Sequence, residues 1–313
     1  MATLYTQQGK NVRRTWFLMT MFLVIVISLG WFISYYYDST LILIIAIVFA
    51  LVMNIASYWY SDKISLAMAG AKPANRDDNL DLFRIVENLA ITAGLPMPAL
   101  YIINDPAPNA FATGRDKNHA AVAVTSGLLG IMNKNELEGV IAHELSHIGN
   151  RDTLLQTVVV VLVGFIAIIA NIFVRTAWLG GGRGGRGGGF GNGRNNDRGN
   201  SSGNLGAIIM IVGLIFTILS PIIATLIQLA ISRKREFLAD TDGALLTRYP
   251  EGLASALEKI AAYGAQLIHA NNATAHLYIS NPFGSKAASG IAKLFMTHPP
   301  TEERIAILCG LEK

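Results

Sequence analysis

Charge is scarce in this chain. Asp, Glu, Lys and Arg make up only 15% of its 313 residues, against about 25% in a typical soluble domain. Hydrophobic residues make up 52%, and mean hydropathy is +0.41. That balance argues against an ordinary soluble protein and for a membrane protein. Cysteine is nearly absent as well. The lone Cys309 rules out an internal disulfide and a multi-thiolate zinc site, and it reads as a small buried hydrophobe. The net charge of +4 is too small to argue for a nucleic-acid partner, so the placement of charge matters more than its sum.

Whole stretches carry no charge at all. Thr15 to Tyr37 and Ser39 to Ser61 are uncharged runs of 23 residues each, and about 20 suffice to cross the hydrocarbon core. Only Asp38 separates them, so they read as a tight transmembrane hairpin. Trp16, Trp31, Tyr35, Tyr36, Tyr37, Trp59 and Tyr60 sit near the ends of the runs, where aromatic belts lie. The first run is too long for a signal-peptide core and lacks a small-residue cleavage site after it, so it reads as a retained anchor. Leu154 to Val174 is a third apolar run, and Leu205 to Ser232 a fourth, which Pro221 should kink. Runs three and four read as spans or deep insertions, the alternative being a buried helical hairpin of a soluble core.

Lys10, Arg13 and Arg14 precede the first run; Lys63, Lys72, Arg76 and Arg84 follow the second. Arg151 precedes the third, and Arg233, Lys234 and Arg235 follow the fourth. The positive-inside rule places all of these in the cytoplasm. Residues 180–204, with 12 glycines and four arginines, break this pattern: either runs three and four form a re-entrant hairpin or, the reading favoured here, these residues are translocated despite their charge. Their composition is that of a flexible linker, and no folded RNA module accompanies the Arg-Gly pattern. The expected organisation is a cytoplasmic N-terminus (1–14), a transmembrane hairpin (15–61), the first half of a soluble domain (62–152), a third span (153–174), a Gly/Arg-rich loop (175–204), a fourth span (205–232), and the second half of the domain (233–313). The two polar pieces together are long enough for one core.

Within the first piece, residues 78–92 show helical periodicity, with Leu80, Phe83, Val86, Leu89 and Ala90 on one face. Gly94 and Pro96 end that helix. Ala99 to Ile103 and Ala120 to Thr125 read as strands. Asn135 and Glu138 suggest a capping box for a helix from Glu136 to about Gly149.

That last helix carries His143-Glu144-Leu145-Ser146-His147. Residues four apart project from one face, so both imidazoles can reach one Zn²⁺ at about 2.0–2.1 Å. Glu144, rotated about 100° from His143, can take a proton from an attacking water without being a ligand. Val140, Ile141, Leu145 and Ile148 supply the buried face. A peptidase site needs a third protein ligand. Glu236 can supply it, with Asp240 one turn on to orient a ligand histidine. Spacing alone leaves open the alternative that both acids pair with Arg233, Lys234 or Arg235 on a solvated face. His298, in Thr297-His298-Pro299-Pro300, can approach the metal or an oxyanion, or be a structural loop histidine.

The chain resembles the HtpX family of bacterial membrane metalloproteases, relatives of the CAAX prenyl endopeptidases. The resemblance spans nearly the whole chain. It rests on Asn109-Ala110-Phe111-Ala112-Thr113-Gly114, the Val122 to Thr125 strand with Gly127-Leu128-Leu129, the His143 to His147 motif, Glu236 to Asp240, Asn281-Pro282, and Thr297 to Thr301 followed by Arg304. It implies a mainly α (α+β), multi-pass membrane protein with a zincin-like cytoplasmic domain carrying a small β-sheet. It implies one Zn²⁺ on His143, His147 and Glu236, and Glu144 as catalytic acid/base, with Asp240, His298 and Arg304 as supporting or transition-state residues. It also implies quality control of damaged or misfolded membrane proteins at the bacterial inner membrane, with protein substrates, the lipid bilayer and no nucleic acid as partners. An extended substrate is expected to add as a strand along Ala120, Val122 and Val124, with Asn109 at the approach to that edge. The rivals are an intramembrane metalloprotease and a non-catalytic chaperone or scaffold with a structural zinc.

Overall fold

The computed structural model describes residues 4–181, 233–271, 273–284 and 299–310. The fourth apolar run, Pro221, most of the Gly/Arg-rich loop and His298 lie outside the described residues. Among the described residues two helices are long and apolar enough to cross a membrane, or three spans if the bent pair Lys134–Gly149 and Asp152–Ile166 counts as one: the two are α1 (Leu4–Tyr36) and α2 (Thr40–Trp59). They form the expected hairpin. Asp38 makes the turn in a left-handed conformation (φ 48°), and the Ser34 hydroxyl donates to the Ser39 carbonyl across it at 2.8 Å. The helix of the first run begins well before that run. It continues unbroken through the segment expected as a separate N-terminus, because nothing in Leu4 to Arg14 breaks a helix except Gly9, which is tolerated.

A short helix, α3 (Ser61–Met68), leads into β1 (Ala71–Pro73) and α4 (Leu80–Ala93). Gly94 ends α4 in the left-handed conformation (φ 66°). The buried face of α4 is Leu82, Ile85, Val86, Leu89 and Ala90, rotated from the expected one. Leu80 is 42% exposed, and Phe83 is half-buried beside the Arg76 guanidinium.

Strands β2 (Ala99–Ile103), β3 (Ala110–Gly114) and β4 (Ala120–Thr125) complete a sheet of order β1-β2-β4-β3. β4 pairs parallel to β2 and antiparallel to β3. Its alternation feeds two cores. Ala120, Val122 and Val124 join Ala110 and Ala112 against α4 and α6 (Lys134–Gly149), while Ala121 and Ala123 join Phe111 against α3 and α7 (Asp152–Gly181). A short helix, α5 (Ser126–Ile131), links β4 to α6.

This topology overturns the expectation for substrate. β4 is bonded on both sides, so no strand can add along Ala120, Val122 and Val124. The edge nearest the motif helix belongs to β3, whose residues carry only a motif and no strand pattern in the sequence.

The first half of α7 is buried nearly all round: Leu155, Val158, Val159, Val160 and Leu162 are each 0% exposed. Val160 packs beneath the sheet, and Leu154, Val158, Val161 and Leu162 pack on Met19, Phe22 and Met53 of the hairpin. A helix apolar on every face is a buried helix. This one joins the sheet to the membrane hairpin. After the break lie α8 (Arg233–Thr247), α9 (Pro250–Tyr263) and α10 (Thr301–Leu308). Cys309, expected as a buried hydrophobe, is exposed, since it follows the last turn of α10 rather than facing the core.

Candidate active site

Helix α6 starts two residues before the expected position. Asn133, not Asn135, is its cap: the Asn133 side chain accepts from the Glu136 N–H at 3.0 Å, and the Glu136 carboxylate accepts from the Asn133 N–H at 2.8 Å. Two overlapping Asn-x-x-Glu signatures stand in the sequence, and tertiary contacts choose between them. Glu136 also accepts from Ser255 and Lys259 of α9, each at 2.7 Å. The rest of α6 is enclosed. Residues 139–148 are all buried, with the sheet and α4 on one side and α8 and α9 on the other.

Close approach of α8 to α6 depends on Gly243. A Cβ there would lie 3.0 Å from the His143 backbone N, so a side chain would push the helices apart. This contact brings Glu236 and Asp240, on α8, to the histidines. The Nε2 atoms of His143 and His147 lie 3.2 Å apart. Glu236 Oε1 is 3.6 Å from His147 Nε2, and its Oε2 is 3.9 Å from His143 Nε2. All three ligand atoms fall within 4.8 Å of one another, and the three residues are buried. The solvated-face reading of Glu236 and Asp240 is thereby replaced. Ligand atoms around a tetrahedral ion at about 2.0–2.1 Å must stand roughly 3.4 Å apart, so the cluster has the dimensions of a metal site.

The far nitrogen of each imidazole is taken by a buried carboxylate. His143 Nδ1 lies 2.9 Å from Asp240 Oδ1, and His147 Nδ1 lies 3.0 Å from Asp152 Oδ2. Each carboxylate is held in turn by an arginine. Arg304 grips Asp240 in bidentate fashion, Nε to Oδ2 at 2.8 Å and Nη2 to Oδ1 at 2.6 Å, and donates from Nη1 to the Ile279 carbonyl at 3.0 Å. Arg235 Nη1 stands 3.4 Å from Asp152 Oδ1. Burial pushes the Asp240 carboxyl up, but Arg304 and His143 outweigh it and hold the group down at about 2. Burial lowers His143 to about 4. Burial also opposes the charge on His147, but the Asp152 and Glu236 carboxylates raise it to about 9. Two imidazoles whose outer nitrogens are occupied present their inner nitrogens to one point beside a carboxylate, which is the donor set of a metal centre.

Glu144 sits on the same helix, 1% exposed, and neither of its oxygens has a hydrogen-bond partner among the described residues. Burial, reinforced by Glu236, raises it to about 7. The Ala112 backbone N–H of β3 is directed at it without closing a hydrogen bond. Asn109, expected at the approach to a substrate edge, is instead spent on the chain. Its Nδ2 donates to the Ser280 carbonyl at 3.0 Å and its Oδ1 accepts from the Ser280 N–H at 3.3 Å, while the Ile279 N–H donates to Ala110 at 2.9 Å. Residues 279–280 therefore cover the start of the β3 edge. Asp152 and Asn11, which donates to Asp152 at 2.7 Å, carry no expectation from sequence, and Arg235 enters there only as a partner of Glu236 or Asp240 rather than of Asp152. Asp152 follows His147 by five residues across a helix break, a spacing with no helical signature.

The model of peptidase family M48 matches residues 76–312. The chain belongs to that family. Among its relatives, proteins named "Protease HtpX homolog" from Thermoanaerobacter pseudethanolicus and Caldanaerobacter subterraneus are each 46% identical to it. They align over 310 and 311 residues, 99% of this chain and 98% of the relative in both cases. A third of the same name, from Dictyoglomus turgidum, is 44% identical over 305 residues, 97% of this chain and 93% of the relative. This M48 peptidase is a metalloprotease, and its two long apolar helices associate it with a membrane. Among the described residues, His143, His147 and Glu236 form a group that could hold a metal ion.

Proposed function

We propose that the protein is a zinc endopeptidase of the bacterial cytoplasmic membrane, with its site facing the cytoplasm, that cleaves damaged or misfolded membrane proteins. His143, His147 and Glu236 hold the zinc, and Glu144 is the catalytic acid/base. The observation that carries this reading is the pairing of a two-histidine, one-glutamate donor set with a buried, unpartnered Glu144. Two imidazoles and a carboxylate leave a fourth position open, as catalytic zinc requires. Zinc bound there supplies a Lewis acid for the scissile carbonyl and makes a water nucleophilic near neutral pH.

The chain's own residues do the rest. Burial raises Glu144 above the ordinary carboxylate range, which favours a group that can both accept and return a proton. It takes a proton from water as the water oxygen attacks the carbonyl carbon. It then delivers that proton to the amine nitrogen as the C–N bond breaks. Asp240 and Asp152 hold the histidine tautomers, and Arg304 acts through Asp240 rather than on the substrate. The substrate strand runs along β3 past Ala112, beyond the part that Ile279 and Ser280 cover. Main-chain pairing of this kind tolerates many sequences, as quality control demands. His298 lies outside the described residues and stands as a further candidate for the oxyanion. Lys10, Arg13 and Arg14 ahead of the first run, and Lys63 beyond the second, support the cytoplasmic orientation.

The test is a zinc-dependent cleavage assay on a membrane-protein substrate with purified full-length protein. Glu144→Gln should retain zinc and lose cleavage by at least about 100-fold. Normal turnover by that variant overturns the mechanism. Zinc retention without any chelator-sensitive proteolysis in wild type favours the scaffold with a structural metal.

A further inference from the structure

We infer that the first membrane helix is part of the metal site's support: Asn11 of α1 is a positioning residue that orients His147 through Asp152. This rests on the metal-site reading above and goes beyond it.

The two ligand histidines are supported from different parts of the molecule. The carboxylate behind His143 is held by Arg304, from the C-terminal part of the soluble domain. The carboxylate behind His147 is held by Arg235 of α8 and, more closely, from α1. Asp152 is the first residue of α7 and is 1% exposed. Its Oδ2 faces His147 Nδ1 at 3.0 Å. Its Oδ1 receives the Asn11 amide at 2.7 Å, shorter than the 3.4 Å to Arg235. The same Asn11 nitrogen donates to the Asn150 carbonyl at 3.1 Å. Its two hydrogens thus clamp the corner between α6 and α7, where the chain bends by 83° and Arg151 adopts a left-handed φ of 56°.

Asn11 is not an isolated contact. Asn11, Thr15, Leu18 and Phe22 recur at helical spacing and are 1%, 1%, 1% and 4% exposed. They form one buried stripe of α1. Its apolar continuation, with Met19, packs on Leu154, Val158, Val161, Leu162 and Ile166 of α7. The seam that joins the membrane helices therefore runs without interruption into the hydrogen bond on Asp152. α1 is a single helix of 33 residues, roughly 50 Å long at the usual rise. A shift of this helix in the bilayer moves Asn11 with it. An imidazole turns freely about its own bonds unless its outer N–H is held, and that hold sets which nitrogen faces the metal. Seating of α1 thereby governs the aim of His147 Nε2.

The experiment uses full-length protein in lipid vesicles, stripped of metal. Zn²⁺ affinity is measured by competition with a chelator, and the d–d absorption of bound Co²⁺ reports ligand geometry. Asn11→Ala should weaken Zn²⁺ binding roughly tenfold and alter the Co²⁺ spectrum. Asn11→Leu, close in size and well suited to a helix, should do the same while keeping α1 seated, which guards against simple misfolding. Asp152→Asn should weaken binding by about 10–100-fold, and adding Asn11→Ala to it should cost little more, because the effect passes through Asp152. Gln8→Ala removes another bond from α1, the 2.6 Å contact to the Gly149 carbonyl, without touching Asp152. It should leave affinity and spectrum unchanged. Wild-type affinity in both Asn11 variants overturns the inference. So does an equal loss in Gln8→Ala, or full additivity of Asn11→Ala with Asp152→Asn. Wild-type protein that binds no metal removes the proposed function itself; wild type that binds and cleaves while the Asn11 variants match it removes this inference alone.

Discussion

An imidazole ligates a metal well when its other nitrogen carries the proton and that proton has a fixed acceptor. Asp240 and Asp152 are those acceptors here, and the arginine behind Asp240 decides whether a charge so deeply buried is tolerable. Arg304 makes two hydrogen bonds to Asp240 and one to a carbonyl. A lysine keeps the charge but not the fork. Arg304→Lys should therefore weaken zinc binding roughly tenfold, read by chelator competition, while Glu144→Gln leaves it intact. A second residue-scale consequence concerns acid stability. Burial raises Glu136, but Lys259, the Asn133 N–H and Ser255 more than compensate, and hold it below its ordinary 4.5. A depressed carboxylate stabilises the fold above its unfolded value and loses that contribution as pH falls through the folded value. Glu136→Gln should thus be less stable than wild type at pH 7, and the gap should close below about pH 4.5. Parallel denaturant titrations at pH 7 and pH 4 check it; a gap that widens in acid contradicts the assignment.

Helix α6 shows which parts of an element are local and which are not. Its existence, its ligand face and its buried face follow from spacing alone, because 3.6-residue periodicity is intrinsic to the chain. Its start does not, since Asn133 and Asn135 both offer a cap, and the choice fell to Ser255 and Lys259 on α9, more than 100 residues away in sequence. Asn133→Ala should cost about 1 kcal/mol, and Asn135→Ala much less, in thermal or denaturant unfolding. Strand β3 was legible only as a motif. Asn109 to Gly114 contains small residues with little strand signature, and its pairing with β4 is a tertiary fact. For the same reason the substrate edge was misplaced onto β4, whose valine-rich alternation is the stronger local signal but whose two edges are both occupied. Spacing put Glu236 and Asp240 on one face of helix α8, yet spacing cannot say what they face. The close contact at Gly243 decides it. Gly243→Ala should displace Glu236 and lower zinc affinity, and an unchanged affinity would show that α6 and α8 can absorb a methyl group.

At the scale of the molecule, the site lies where three units meet: the sheet with α6, helix α8 from beyond the Gly/Arg-rich segment, and the α1–α7 seam. Metal bound among them should stabilise the whole assembly. Zinc at a thousand times its dissociation constant is worth about 4 kcal/mol, so chelation should lower the unfolding midpoint of wild type and leave that of His147→Ala unmoved. Composition and periodicity by themselves marked the chain as membrane-associated, with a hairpin of two helices long and apolar enough to cross a bilayer, placed His143, Glu144 and His147 on one helix, and placed Glu236 and Asp240 on another. These are matters of hydropathy and of spacing within one element. Spacing left open what Glu236 meets; the family resemblance implied the two histidines, and the tertiary structure brings them together. Only the tertiary structure decided that Asp152, Arg235 and Asn11 stand behind His147 and that β3 rather than β4 offers an edge. Those contacts join residues up to 141 positions apart. The reason is physical: periodicity states which way a side chain points from its own helix or strand, whereas a ligand set depends on how close separate elements come, and that is set by packing at positions such as Gly243 and along the buried stripe of α1.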